Sequence, residues 1–178
     1  GMPSSRPLIA GTGAESTKAT IAACARAARA GADAVLVRTP AFFKNLMTSE
    51  VYVRHYVAVA EASPVPVLLY NVSMYTGVTL PPDAVGLLAE HPNIVGLKES
   101  GSDAALLADY IARSGPEFFV LAGSGVTYFS GLVAVAEGAI LALPGIVPDL
   151  CADIFDHVRA GRFLEARAKG RSSEAIEK

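Results

Sequence analysis

Cysteine is nearly missing from this chain of 178 residues: Cys24 and Cys151 are its only two. They lie far apart, without metal-ligand or redox spacing, which removes support for a disulfide framework, a zinc site or a CxxC mechanism and fits a reducing compartment. A basic run is missing too, since 15 Lys and Arg stand against 17 Asp and Glu for a net charge of -2. That balance leaves nothing to neutralise the phosphates of a nucleic acid, so no nucleic-acid partner is expected. No apolar stretch approaches the roughly 18 residues that span a bilayer. Met2 to Arg6 leads into no signal-peptide apolar region, so a cytoplasmic protein without a membrane partner is expected. Linkers, low-complexity tracts and charge blocks are also lacking. What is there is 52% hydrophobic residues at a mean hydropathy of +0.40, the composition of a core-forming domain. Gly1 ahead of Met2 reads as a scar of tag cleavage, with residues 1–6 a tail outside the fold and 169–178 a polar tail at the other end.

Six short apolar runs alternate with segments of helical period. Residues 7–11, 34–38, 65–71, 94–98, 118–122 and 139–143 read as strands. They are continuous rather than alternating runs, the mark of parallel strands covered on both faces. Helices are expected near 16–30, 49–62, 81–90, 103–113, 126–135 and 148–160, the last continuing beyond Gly161 and Arg162. Ser16 and Ser49 suit N-caps, Pro82 and Pro148 suit first turns, and Gly31, Gly115 and Gly161 suit helix ends. Repeated βα units admit a closed (β/α) barrel or an open doubly wound sheet. Small or polar residues after nearly every strand, from Gly11-Thr12-Gly13 to Pro144-Gly145, favour the barrel, because a doubly wound fold concentrates its site at one switch point. An eight-unit barrel takes about 250 residues, so two units are missing from this reading.

Lysine is scarce, and among Lys18, Lys44, Lys98, Lys169 and Lys178 only Lys98 ends an apolar strand. A free lysine titrates near 10.4 and is a poor nucleophile at neutral pH, but desolvation lowers such a value and prepares an amine to attack a carbonyl as a Schiff base. The plainer alternative for Lys98 is an ion pair with Glu99 or a side chain reaching for water. Tyr70 ends the preceding apolar run, so its strand is the expected neighbour of the Lys98 strand, about 4.8 Å away. A phenol so placed can pass protons or hold a carboxylate; the plainer alternative is a core ring with a locally satisfied hydroxyl. Gly11-Thr12-Gly13 lacks the remainder of any nucleotide-binding fingerprint, so no cofactor follows from it. His55, His91 and His157 form no metal-ligand pattern and read as surface or capping residues, which leaves no metal site. Phe42 and Phe43, in the loop after Thr39-Pro40, read as core packing.

Tyr70-Asn71-Val72, Thr76-Gly77 and Gly96-Leu97-Lys98-Glu99-Ser100 resemble the dihydrodipicolinate synthase and N-acetylneuraminate lyase family of class I Schiff-base aldolases. Leu8 to Gly13, Gly31 to Ala34, Thr39-Pro40, Pro66 to Leu69, His91 to Gly96 and Leu121 to Ser124 resemble further family segments, in family order, from about residue 7 to 168. The resemblance implies an α/β fold of the TIM (β/α)8-barrel family, here only its third to eighth strands. It implies Lys98 as the Schiff-base lysine and Tyr70 as the proton-transfer tyrosine, with Gly138, Ile140 and Thr76 contacting substrate. It implies no cofactor and a pyruvate-like 2-oxo acid as small-molecule partner; the two edge strands that such an incomplete barrel leaves unpaired, 7–11 and 139–143, predict a homo-oligomer. Two departures stand out. Ser73-Met74-Tyr75 occupies the place of a Pro-Ser-Arg segment whose arginine binds a carboxylate, and Phe42-Phe43 stands where a tyrosine pair is frequent. These departures speak against dihydrodipicolinate synthase activity itself, and the segments around His55, Ser63 and Ser100 look closer to the 4-hydroxy-2-oxoglutarate aldolase branch.

Two functions compete on this reading. The first is a lyase that forms an imine between Lys98 and a 2-oxo acid and makes or breaks a carbon–carbon bond. The second is a truncated, catalytically impaired relative that serves as a binding or assembly module through open sheet edges.

Overall fold

A computed structural model describes residues 6–134 and 136–176. The readings of Gly1 and of the first five residues, the closing Val135 of the expected 126–135 helix, and residues 177 and 178 of the expected tail lie outside the described residues. The chain runs through β1 (Ile9–Gly11), α1 (Thr17–Arg29), β2 (Ala34–Arg38), α2 (Ser49–Ala62), β3 (Val67–Asn71) and the single turn α3 (Ser73–Thr76). It continues with α4 (Pro82–Leu88), β4 (Ile94–Glu99), α5 (Ala104–Arg113), β5 (Phe119–Ala122), α6 (Gly125–Val133) and β6 (Gly138–Ala139), then ends in α7 (Pro148–Arg159) and α8 (Phe163–Ile176).

All six strands are parallel and each pairs with the next, in the order β1-β2-β3-β4-β5-β6. An order that never reverses has no switch point, which excludes the doubly wound sheet. Among the described residues β1 and β6 pair on one side only, so the barrel is incomplete. Alternate residues divide between two faces. Val35, Val37, Val67, Leu69, Leu97 and Val120 are buried against the helices, and a smaller cluster around Ala122, Tyr128, Leu132 and Ile154 continues the core toward α7 and α8. The other face holds Leu36, Arg38, Leu68, Tyr70, Lys98 and Phe119. Coverage of both faces was the expectation from the continuous apolar runs, yet Phe119 is 48% exposed, because the helices pack on the outer side alone.

Several local expectations are corrected. Thr48, not Ser49, caps α2, its Oγ1 accepting the N–H of Val51 at 3.4 Å, while the Ser49 hydroxyl donates to Asp83 at 3.2 Å and ties α2 to α4. Ser16 does cap α1. Gly31 and Gly161 follow their helices at φ of 93° and 72°, a conformation that only glycine adopts cheaply; Gly115 is not in that region. The sixth strand is cut to two residues because residues 143–145 wind into a 3-10 turn, in which the Leu143 carbonyl accepts from Ile146 and Val147. Residue 169 marks no boundary: α8 runs through it, and Lys169 donates to Asp153 at 2.6 Å. Phe42 and Phe43 are not core residues but stand 77% and 64% exposed, edge to face. Glu15 accepts the N–H groups of Ala41 and Phe42, each at 2.8 Å, and this fixes the loop backbone while the rings project outward.

His55 also departs from its expected place at the surface. It is 6% exposed in α2, with Nδ1 2.9 Å from the Thr17 hydroxyl of α1. Burial pushes its pKa down to about 4 against a weaker upward pull from the Glu15 carboxylate. Since the unfolded chain takes up this proton near pH 6.5, it binds more protons than the folded chain between there and about pH 4, and stability must fall as pH drops through that window. The expected loss is on the order of 3 kcal/mol. Urea unfolding of the parent and His55→Gln from about pH 7 to about pH 4 tests this: the variant should lack this part of the slope, and an unchanged slope refutes it.

Candidate active site

Parallel pairing sets Arg38 opposite Tyr70 and Tyr70 opposite Lys98 at the carboxyl ends of β2, β3 and β4. Opposed residues of parallel strands share a face, so the two residues singled out from sequence meet. The Lys98 ammonium lies 4.6 Å from the centroid of the Tyr70 ring. Both line a cavity of about 600 Å³ together with Val72, Ser100, Gly101 and Ser124. Met74 and Tyr75 stand at its rim, 70% and 81% exposed. Neither carries a charge.

The next residue of each strand points the other way. Asn71 and Glu99 are fully buried behind the mouth, where Glu99 Oε2 accepts from Asn71 Nδ2 at 2.6 Å and Oε1 accepts the Gly101 N–H. Asn71 Oδ1 accepts the Leu80 N–H at 2.9 Å, and the Leu80 carbonyl in turn accepts the Tyr110 hydroxyl at 2.6 Å. Burial pushes the Glu99 carboxyl up, against the opposing pull of those two hydrogen bonds. The ion pair of Lys98 with Glu99, the plainer alternative from sequence, is therefore absent: the two groups lie on opposite faces of one strand. What Glu99 does is clamp the turn at 100–101 beneath the lysine.

Two further residues escaped the sequence reading. The Ser100 hydroxyl is buried at the cavity without a hydrogen-bond partner. Gly123, whose N–H donates to the Glu99 carbonyl at 2.6 Å, has no room for a side chain: a Cβ there would lie 2.8 Å from Lys98 Cε and would strike Ser100 Oγ. The Gly-Leu-Lys-Glu-Ser run contained Ser100, but only the approach of β5 shows why a glycine must face it.

The expected substrate contacts are not gathered in this cavity. Thr76 is buried in α3, its hydroxyl within hydrogen-bonding distance of the Val72 and Val78 carbonyls. Gly138 lines a separate depression between β6 and α7, and the Ile140 N–H donates to the Ala122 carbonyl at 2.9 Å. Among the described residues no three His, Cys, Asp or Glu side chains converge on a point that could hold a metal ion. Among the described residues no helix is long and apolar enough to cross a membrane.

A family model, the dihydrodipicolinate synthetase family, matches residues 4–176. A probable mitochondrial 4-hydroxy-2-oxoglutarate aldolase of Emericella nidulans is 40% identical over 92% of this chain and 53% of its own length. A 4-hydroxy-tetrahydrodipicolinate synthase of Geobacter sulfurreducens is 40% identical over 90% of this chain and 55% of its own. Among solved structures, a prophage protein of the dihydrodipicolinic acid synthase family from E. coli K12, in complex with pyruvate, superposes with a TM-score of 0.90 at 29% identity, over 97% of this chain and 59% of that one. The chain thus spans about half the length of the curated relatives it matches.

The buried clamp makes a test. Asn71→Ala removes the Glu99 donor and the Leu80 acceptor together and leaves a carboxylate short of a partner in the core, which should cost roughly 3 kcal/mol in denaturant unfolding. Glu99→Gln, which keeps the shape but sets an NH2 group against one of the two donors, should also destabilise. An Asn71→Ala stability within about 0.5 kcal/mol of the parent would show that the clamp holds nothing.

Proposed function

The chain belongs to the dihydrodipicolinate synthetase family, and from that premise we propose that it is a Schiff-base-forming lyase acting on pyruvate or a related 2-oxo acid. The observation that carries the proposal is the Lys98 ammonium 4.6 Å from the Tyr70 ring centroid in a cavity at the carboxyl ends of the strands. The neutral Lys98 amine attacks the C2 carbonyl and loses water to give a protonated imine. In the cleavage direction Tyr70 relays the proton lost by the substrate hydroxyl; the carbon–carbon bond breaks, its electrons pass into the imine, and an aldehyde leaves. The resulting enamine takes a proton at carbon, and water releases pyruvate and the amine. Condensation runs the same steps in reverse.

The unpartnered Ser100 hydroxyl is a ready donor to the bound acid. We assign Thr76, whose hydroxyl lies within hydrogen-bonding distance of the Val72 and Val78 carbonyls, to holding the turn that leads to the cavity rim. The uncharged Met74 and Tyr75 support a 4-hydroxy-2-oxoglutarate aldolase-like specificity over dihydrodipicolinate synthesis. We place the protein in the cytoplasm as a homo-oligomer; the scarcity of cysteine supports a reducing compartment, and the one-sided pairing of β1 and β6 among the described residues supports association. Those same edges favour the second reading, a catalytically impaired module for assembly.

Borohydride reduction with pyruvate separates the readings. A pyruvyl adduct on the parent that is lost in Lys98→Ala and retained in part in Tyr70→Phe, whose turnover slows, supports the lyase. No adduct at millimolar pyruvate leaves the assembly reading, and equal loss of adduct in two folded variants means that the roles of Lys98 and Tyr70 are misassigned.

A further inference from the structure

Lys98 is the only cation that lines the cavity among the described residues, and imine formation commits it to the carbonyl of the first substrate. Any second anionic group must be met elsewhere. The row that carries Tyr70 and Lys98 extends one strand further, to Arg38, whose Cα is paired with that of Tyr70 and lies about 10 Å from that of Lys98 at two strand spacings. Val37 is buried against the helices, so Arg38 leaves β2 on the face shared by Tyr70 and Lys98. Its guanidinium donates to the Thr39 carbonyl at 3.0 Å and to Glu15 at 2.9 Å. A guanidinium has five N–H donors in a fork that matches a carboxylate, so this arrangement orients the group and leaves most of its donors unspent. The side chain is 33% exposed, within reach of a ligand.

We infer that Arg38 is a specificity-determining residue that binds the carboxylate of an anionic second substrate while the 2-oxo acid is held on Lys98. The inference rests on the imine reading for the identity of the first substrate, but the anion site itself does not. Glu15 orients the guanidinium from the side of β1 and at the same time braces the loop at 41–42. An incoming carboxylate takes the N–H groups of the fork that Thr39 and Glu15 leave unused.

The experiment follows two quantities, succinate binding by calorimetric titration and pyruvate trapping by borohydride, in the parent, Arg38→Met, Arg38→Lys and Glu15→Gln. Arg38→Met should weaken succinate binding about tenfold or more, as expected for a charge-assisted pair, with pyruvate trapping retained. Arg38→Lys, which keeps the charge but not the fork, should recover part of that loss. Glu15→Gln, which releases the guanidinium, should keep or tighten succinate binding. If Arg38 only braces the loop, Glu15→Gln and Arg38→Met weaken succinate binding alike, and the inference fails. It fails equally if the parent does not bind succinate or binds it no better than Arg38→Met does. A parent that binds succinate through Arg38 yet traps no pyruvate overturns the imine reading alone.

Discussion

The register between β3 and β4 governs the rest of this molecule. Val67 pairs with Ile94, but Leu68 pairs with Gly96, so Val95 is an extra residue in β4. Without that irregularity the pairing would continue Leu68 with Val95 and Tyr70 with Leu97, and Lys98 would fall beside Asn71. A one-residue slip sends every following side chain to the other face. The bulge places Lys98 in the row of Tyr70 and Glu99 in the row of Asn71, and so decides which of two adjacent charged residues reaches the mouth and which is buried.

The consequence is a site in two layers. In front, Tyr70 and Lys98 stand on adjacent strands and line a cavity, with Arg38 beside Tyr70 in the same row. Behind them, Asn71 and Glu99 spend their hydrogen bonds on backbone and on each other, holding the chain at Leu80, just ahead of α4, and at Gly101, just after β4. A buried carboxylate is costly unless its oxygens are satisfied, and here each has a donor. The rigid layer lets the front one keep groups free for chemistry: the Ser100 hydroxyl is left unpartnered at the cavity, and Gly123 leaves space for the lysine stem. The proposed imine chemistry needs that division, because the amine must meet a carbonyl while the strand that carries it stays fixed.

The strands are short, and helices cover one side of them. The outer face is a continuous core from Val35 to Val120, whereas the inner face keeps Phe119 half-exposed and, among the described residues, β1 and β6 pair on one side only. Stability and reactivity are thereby separated in space. The Tyr56 hydroxyl donates to the Val37 carbonyl and ties α2 to β2, and the Tyr110 hydroxyl donates to the Leu80 carbonyl and ties α5 to the segment ahead of α4. The helices thus support the carboxyl ends of the strands, where the cavity opens.

Much of this was legible in the sequence. The strand runs, the helical segments and the isolation of Lys98 among the lysines follow from hydrophobic periodicity, which is a local property, and they located β2, α2 and the ends of β3 and β4 within a residue or so. The resemblance carried by the Tyr70 and Lys98 segments reached the family. Other features depended on what comes from elsewhere in the chain. Phe42 and Phe43 face outward because Glu15, distant in sequence, captures the loop amides; His55 is buried because α1 lies over it; Gly123 must be a glycine because Lys98 and Ser100 crowd it from the next strand. The sequence by itself determined the order of the elements and the residue types available for chemistry. Only the tertiary structure decided which of them meet, because facing depends on pairing register, and register is set between strands rather than within one.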